Sequence, residues 1–339
     1  MKAVIIGEKD KTDWENFVYE NPNTIAWQSH EWSDVLKRHY RFVFFPIAAY
    51  RGNDICGILP LYHIKTRLSG DSLISVPYAV AGGITANDPD VRTALLEKAI
   101  EISKKHGSCP ITLKQYKLKI DGDLALDDNY YNRELELSTD VTEVWRQFSE
   151  KNKEAIRQTE GLNFVMEYPS TELERFYDLL LKDLRAKGVP CVSKRWIQDL
   201  LAFKMYSIAI LRVGGLIVAG TLVKKFKDTV SFPFTCFMDR NATKWVHRLY
   251  WELIQHFCME GKRIFHSGRI PMNDATDQYR IGWGGTKYGY YYQYFPMRHV
   301  KTEFSVKRGR KRELAEKAWK TMPIMLARLI GPQVVKHFP

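Results

Sequence analysis

The sequence predicts an α/β protein built from two tandem units, each a mixed, mostly antiparallel sheet flanked by helices. Hydrophobic residues make up 45% of the 339 residues, which is enough for two cores. Segments 47–59 and 208–222 share one pattern of apolar residues and glycine. The same order of strand, helix and strand follows both segments, which indicates an internal repeat.

Each repeat contains a β-hairpin. The sequences IAAYRGNDICGIL at 47–59 and IAILRVGGLIVAGTL at 208–222 join two apolar strands through a turn that contains glycine. A β-rich run ending in proline and an aromatic residue follows at 71–78 and at 228–234. Because proline cannot donate to a strand ladder, we expect neighbouring strands to part there and leave a cleft.

A helix, a glycine and a short strand complete each repeat. Apolar residues recur at near-helical spacing in 91–106 and in 243–259, and short strands are expected at 111–114 and 263–266. Other helix-periodic runs begin each half, at 14–40, 145–158 and 173–187.

We therefore predict a first domain over residues 1–145 and a second over 146–300. The second domain is expected to hold the active cleft, and the first to be its degenerate partner. Residues 301–339 are expected to form a basic amphipathic tail.

The net charge of +12 indicates anionic partners, such as nucleic acid, phosphorylated carriers, coenzyme phosphates or anionic lipid. The alternative is that the charge only aids solubility. The apolar run at the N-terminus is too short for a signal peptide, and the run Phe42 to Tyr50 is too short to span a membrane. We expect a cytoplasmic protein.

Cysteine and histidine spacing indicates no metal site. The five cysteines are scattered without a C-x-x-C pair, and the nine histidines form no H-E-x-x-H pattern, so inert thiols are expected. His247 and His256 lie nine residues apart on one predicted helix and share no face well, so neither is expected to act in catalysis.

Several short motifs point to one family. They are EKNKEAIR at 150–157, HSGR at 266–269, YRIGWG at 279–284 before a tyrosine-rich strand at 288–294, and the tail motifs AWKTMP at 318–323 and LIGP at 329–332. These motifs resemble the FemAB-like branch of the GNAT-type acyltransferases, which carry two tandem GNAT-like domains. The sequence departs from the family pattern at Lys153, which replaces an arginine, and at Ile270 and Pro271, which replace a serine region.

The resemblance implies transfer of an acyl or aminoacyl group to an amine of a cell-envelope or surface-polysaccharide precursor. The tail is similar to that of relatives linked to exosortase and exopolysaccharide loci. No bound cofactor is expected, and the donor would be acyl-CoA or aminoacyl-tRNA. The Q/R-x-x-G-x-G turn with which simple GNAT enzymes bind pyrophosphate is absent, which weakens the coenzyme A alternative.

Basic residues on one predicted helix are the first candidates for donor or substrate binding. Lys153 and Arg157 are i, i+4 neighbours able to bracket a phosphate, and Lys151 precedes them. The alternative is a charged surface paired with Glu150 and Glu154.

A second group of candidates follows the strand at 263–266. Arg269 and Arg280 are expected to bind a phosphate or carboxylate, and Asp277 or Tyr279 to accept or relay the proton of the attacking amine. Trp283 is a candidate stacking surface. The alternatives are a salt bridge from Arg269 to Asp274 or Asp277, turn chemistry with a packed tyrosine at 277–279, and a core position for Trp283.

The tail combines a basic run with an apolar helix face. The basic residues are Lys307, Arg308, Arg310, Lys311 and Arg312. The predicted apolar face is Leu314, Ala318, Met322, Met325, Leu326, Leu329 and Ile330. This pattern is typical of a helix on an anionic membrane, here at the inner face, and tRNA is a second candidate partner. The alternative is packing on the second domain, and Pro323 and Gly331-Pro332 are expected to limit the helix to short pieces.

Two other functions compete with an N-acyltransferase. One is a non-catalytic basic protein that docks on RNA or membrane. Its second-domain cleft would be filled with apolar side chains. The other is a tRNA-dependent peptidoglycan-bridge aminoacyltransferase, for which a continuous basic surface beyond the tail is expected.

Overall fold

The computed structural model describes residues 2–66, 70–272, 278–297 and 310–337. The chain divides into two compact units. Within the described residues, unit 1 comprises parts of 1–131, 288–307 and 336–339, and unit 2 parts of 132–287 and 308–335.

Unit 1 contains a sheet with helices on it. Its elements in chain order are β1 (Ala3–Ile5), α1 (Lys11–Glu20), α2 (His30–Tyr40), β2 (Val43–Arg51), β3 (Asp54–Thr66), β4 (Gly70–Ile74), β5 (Thr85–Ala86), α3 (Pro89–Lys105), β6 (Ile111–Tyr116) and the first part of β7 (Ala125–Glu136). The order along the sheet is β1-β2-β3-β4-β6, and β4 and β6 are its parallel pair.

Unit 2 repeats this arrangement after the last part of β7. Its elements are α4 (Val141–Arg146), α5 (Glu150–Arg157), β8 (Val165–Ser170), α6 (Leu173–Lys187), α7 (Lys194–Leu201), β9 (Tyr206–Val213), β10 (Leu216–Phe226), β11 (Thr229–Ser231), β12 (Cys236–Phe237), α8 (Thr243–Met259), β13 (Ile264–His266), β14 (Ile270–Pro271) and α9 (Gln278–Ile281). The order along the sheet is β13-β11-β10-β9-β8, and β11 and β13 are parallel.

The two hairpins are topologically equivalent. Each leads through a short third strand and a helix to a strand that runs parallel to that third strand. The second strand of each hairpin also carries one β-bulge, at Cys56 in β3 and at Val218 in β10. The predicted α/β class and the internal duplication are therefore confirmed.

Because of two strands, the observed units do not follow the predicted domain boundaries at residues 145 and 300. Strand β7 begins in unit 1 and ends in unit 2, where Leu135 pairs with Phe265 of β13. Strand β15 (Thr286–Phe295) follows α9 and returns to unit 1, where it pairs antiparallel with β6. The sequence predicts the tyrosine-rich strand at 288–294 but not β7, and it carries no signal for the partners of either, because pairing depends on distant residues.

Each unit has its own hydrophobic core between sheet and helices. In unit 1, Leu59, Leu95 and Ile111 are fully buried. Gly57 lets α3 approach the sheet, because a Cβ there would lie 2.6 Å from a Val91 methyl. In unit 2 the core lies largely between α8 and β9, β10 and β13. The five cysteines are free thiols, of which Cys56 is half-buried and the others are buried.

The tail forms helices α10 (Arg310–Thr321) and α11 (Ile324–Val335), which pack on α6. Trp319 and Ala327 are buried in this contact. Pro323 lies between the helices as predicted, but Pro332 lies inside α11, so Gly331-Pro332 does not end the helix. Lys307 and Arg308 lie outside the described residues.

Arg310, Lys311 and Arg312 form the first turn of α10. Within the described parts of the chain, no helix is both long enough and apolar enough to cross a bilayer.

Candidate active site

The two units differ where the parallel strands should part. In unit 1 the gap beyond β4 and β6 is closed by hydrogen bonds. The Ser75 amide donates to Thr112 O at 2.9 Å, and the amides of Gly82 and Gly83 both donate to Lys114 O at 2.9 Å. A Cβ on Gly83 would meet the Gln115 side chain at 2.6 Å. The chain of unit 1 itself therefore occupies its cleft.

In unit 2 the corresponding strands turn to different neighbours. After Ser231 pairs with His266, the chain runs to β10, where the Leu222 amide donates to Pro233 O at 3.1 Å and Cys236 pairs with Gly220. Beyond His266, the Ser267 amide donates to Arg133 O of β7 at 3.1 Å. Strands β11 and β13 therefore part at the proline, as the sequence predicts.

An aromatic cluster lies beside this opening. Trp283 is fully buried, and its ring lies 5.4 Å from the ring of Tyr250 and 5.0 Å from that of Phe148. Its Nε1 makes no hydrogen bond of ordinary geometry with the described residues. Trp283 is thus a core residue, the alternative that the sequence left open, and offers no surface on which a substrate can stack.

Tyr279 packs against the same cluster, 5.5 Å from Tyr250 between ring centroids. Its hydroxyl is buried and makes no hydrogen bond of ordinary geometry with the described residues. Burial, with Tyr250 as the next contribution, raises the pKa of Tyr279 well above its usual value of 10.0. The phenol is therefore neutral and can donate a proton, but it cannot serve as a base near neutral pH. Asp277 lies outside the described residues.

His247, which the sequence analysis did not expect to act in catalysis, is a candidate on the structural evidence. It lies on α8 beside Tyr279, and its Nδ1 donates to Thr243 O at 3.0 Å, which leaves Nε2 as the acceptor in the neutral ring. Burial lowers the pKa of His247 below its usual 6.5; the Thr243 hydrogen bond raises it, and the charge of Lys151 lowers it further. A neutral imidazole with a fixed tautomer can act as a general base.

A depression of about 380 Å³ opens at His247, between α5 and the N-terminus of α8. The residues that line it are Lys151, Glu154, Ala155, Gln158, Asn241, Thr243, Lys244 and His247. Two lysines and the positive end of a 17-residue helix favour an anion there. Asp239 faces the same helix end, accepting from the amides of Asn241 and Ala242.

Of the three predicted basic residues on α5, only Lys151 lines this depression. Lys153 bonds to the Glu150 carboxylate at 2.9 Å, and Arg157 lies 3.5 Å from Glu150 and 4.0 Å from Glu154. Lys153 and Arg157 therefore form the paired charged surface that was the alternative prediction, rather than a phosphate clamp.

Arg280 contacts the backbone of Arg269, because its guanidinium donates to Arg269 O at 2.6 Å. Arg269 is half-buried and follows Gly268, whose amide donates to the Asn132 side chain at 3.0 Å. The proposed partners of Arg269, Asp274 and Asp277, lie outside the described residues. Arg280 thus fixes the backbone that presents Arg269.

No protein-family model matches the sequence, and no curated protein sequence matches it. Solved structures do match. FemX superposes with a TM-score of 0.69 at 12% identity, covering 86% of this chain and 97% of that chain.

Two other structures show the same arrangement. The structure of L-PGS from Bacillus licheniformis gives a TM-score of 0.56 at 14% identity, covering 98% of this chain and 99% of that one. A tandem GNAT protein from the clavulanic acid biosynthesis pathway gives 0.54 at 10% identity, covering 86% and 97%. The chain therefore has the FemAB-like fold of two tandem GNAT-type domains.

Proposed function

We propose that the chain is an N-acyltransferase that moves an acyl or aminoacyl group to an amine of a cell-envelope or surface-polysaccharide precursor. The observation that carries the proposal is the parting of β11 and β13 in unit 2, since the equivalent gap in unit 1 is closed by Ser75, Gly82 and Gly83. The ring of Tyr250 contacts Phe232, the residue after β11, and also Tyr279, which contacts His247. Burial keeps this imidazole and this phenol neutral.

The chemistry needs one base and one acid. The amine nitrogen bonds to the acyl carbonyl carbon, and the bond from that carbon to the leaving sulfur or ribose oxygen breaks. Nε2 of His247 takes the amine proton, and the Tyr279 hydroxyl gives a proton to the leaving atom. Tyr279 then regains a proton from the imidazolium of His247, so the amine loses one proton and the leaving group gains one.

The donor binds through its phosphates in this proposal. Lys151 and Lys244 line the depression at the N-terminus of α8, where the helix dipole also favours an anion. Acyl-CoA and aminoacyl-tRNA both carry phosphates, so this site accepts either class. Arg269 is the further candidate for a phosphate or carboxylate of donor or acceptor. We place the reaction in the cytoplasm, at the inner face of the membrane where envelope precursors are assembled.

A tRNA-dependent peptidoglycan-bridge enzyme is the second candidate function. The net charge of +12 favours it, because tRNA offers a large polyanionic surface. The third candidate is a non-catalytic binding protein, in which apolar side chains would fill the cleft of the second unit. The position of His247, Lys151 and Lys244 at the wall of the depression supports catalysis over that alternative.

A matched pair of tyrosines tests the proposal. Tyr62 of unit 1 resembles Tyr279 in having a buried hydroxyl and a pKa raised by burial. Amide formation would be followed with labelled acetyl-CoA and with charged tRNA, over a panel of amine acceptors. We expect Tyr279→Phe to lower kcat about 10²-fold and Tyr62→Phe to leave it unchanged. Equal activity of both variants would remove Tyr279 from the mechanism, and no transfer from either donor would refute the activity.

A further inference from the structure

Helix α11 presents two faces of opposite character. One face is exposed and apolar, with exposed fractions of 80% for Met325 and 71% for Leu329. Leu326 and Ile330 widen it, with 47% and 37% exposed. At 100° per residue these four side chains occupy one continuous arc of the helix. We name them the α11 apolar face.

The opposite side of α11 is held against unit 2. Ala327 is fully buried, and Gly331 lies so close to Cys191 that a Cβ would come 2.8 Å from the Cys191 carbonyl oxygen. The Arg328 guanidinium pairs with Asp178 of α6 at 2.5 Å. Because this side is already packed, the α11 apolar face is directed away from unit 2 in the folded chain.

The turn before α11 is fixed as well. The Arg185 guanidinium donates to the carbonyl oxygens of Lys320 and Met322, at 3.1 and 2.7 Å. A charged group thus satisfies carbonyls at the end of α10. These hydrogen bonds from α6 hold the turn from which α11 begins.

Most of the net charge of the protein lies in the same segment. Residues 301–339 contain ten lysines and arginines and three glutamates, a net +7 of the +12 of the whole chain. Lys317 and Lys320 of α10 are exposed. An apolar face within a segment of such excess positive charge matches the two properties of an anionic bilayer, which has acid headgroups over an apolar interior.

We propose that the α11 apolar face, with the exposed Lys317 and Lys320 of α10, docks the protein on anionic lipid. A second copy of the chain fits less well, because a symmetric contact would bring two segments of net +7 together. A nucleic acid would use the charge but leave the apolar face uncovered. This surface does not depend on the proposed acyl transfer, since lipid binding and transfer are measured separately.

Point variants of the full chain test this surface. Removing the tail is unsuitable, because it would uncover the α6 surface that Trp319 and Ala327 cover. We would compare wild type, the double variant Met325→Gln/Leu329→Gln and the double variant Lys317→Glu/Lys320→Glu. The matched control is Leu216→Gln/Met259→Gln, which changes two other exposed apolar residues of unit 2, 63% and 75% exposed.

The readout is co-sedimentation with phosphatidylcholine vesicles with and without phosphatidylglycerol, at low and high salt. We expect wild type and the control to bind the anionic vesicles only, and less at high salt. Each tail variant should lose about tenfold or more in partition, with its circular dichroism spectrum unchanged. Equal binding by wild type and the Met325→Gln/Leu329→Gln variant, or equal wild-type binding to neutral and anionic vesicles, would overturn the proposal. Self-association that this variant loses, without vesicle binding, would assign the face to a second copy.

Discussion

The imidazole of His247 meets the ring of Tyr279 edge-on, with ring centroids 4.8 Å apart and planes at 88°. Burial favours the neutral form of both groups, because it lowers the pKa of His247 and raises that of Tyr279. A base and an acid whose pKa values are displaced in opposite directions can work together at neutral pH, which is what aminolysis of an activated acyl group requires.

The first prediction is that His247→Gln lowers the rate of acyl transfer about 10²-fold or more while the protein stays folded. Glutamine keeps a polar side chain but cannot take up the proton. In the wild type, kcat should stay level as the pH falls through 6.5 and drop only at the lowered pKa of His247. The pH profiles of kcat for both proteins measure this. A profile with the same acid limb in the variant would show that another group is the base.

The second prediction separates Arg269 from Arg280. Because Arg280 donates to Arg269 O, Arg280→Ala should lower the free energy of unfolding by about 1.5–3 kcal/mol and also reduce transfer. Arg269→Ala should raise KM by about tenfold or more with little loss of stability, if the guanidinium binds an anionic substrate group. Urea unfolding and steady-state kinetics of both variants decide the matter. Loss of stability in Arg269→Ala and none in Arg280→Ala would reverse the two roles.

The sequence predicts what depends on neighbours along the chain. Helix α8 has the predicted bounds 243–259 because its apolar periodicity is local, and Pro233 marks the point where β11 and β13 part. The partners of β7 and β15 could not be predicted, since strands of the same character differ only in distant contacts.

The site was harder to predict than the fold for the same reason. His247 has no motif around it, and its role depends on Tyr279 from α9 and Lys151 from α5. Trp283 could not be recognised as a core residue, because Phe148 and Tyr250, which cover it, are remote in sequence. Lys153 and Arg157 lie one helical turn apart, as the sequence predicts. Their ion pairs with Glu150 depend on side-chain packing, which the sequence does not give.

The third prediction concerns acid stability of unit 1. Burial, with the charge of Lys11 as the next cause, lowers the pKa of His30 from 6.5 to about 4. The unfolded chain therefore binds a proton at higher pH than the folded one does. The stability from a neutral His30 is complete above pH 6.5 and is lost as the pH falls towards 4, by up to about 3 kcal/mol.

The variant His30→Phe tests this, since phenylalanine keeps an aromatic ring between Trp14 and Phe44. Its free energy of unfolding should fall less steeply than that of the wild type between pH 6.5 and 4. Comparison with wild type is needed because burial raises the pKa of Glu15, which accepts from the His30 amide and favours the folded state as it protonates. Parallel curves for the two proteins would contradict the prediction.

The last prediction concerns the donor. Lys151 and Lys244 line the depression at the start of α8, whereas Lys153 on the same helix as Lys151 is bonded to Glu150. Lys151→Ala and Lys244→Ala should each raise KM for the donor about tenfold, because each removes a cation from the phosphate site. Lys153→Ala is the matched control and should leave KM unchanged.

Salt identifies the donor class in the same assay. A tRNA contacts many basic groups, so its KM should rise steeply with salt. Replacing one lysine should reduce the slope of log KM against log salt concentration by about one. A coenzyme A donor has few phosphates, so its log KM should rise only slightly with log salt concentration. Lys151→Ala and Lys244→Ala should nearly abolish that rise. An unchanged KM in both Lys151→Ala and Lys244→Ala, with either donor, would move the phosphate site away from α8.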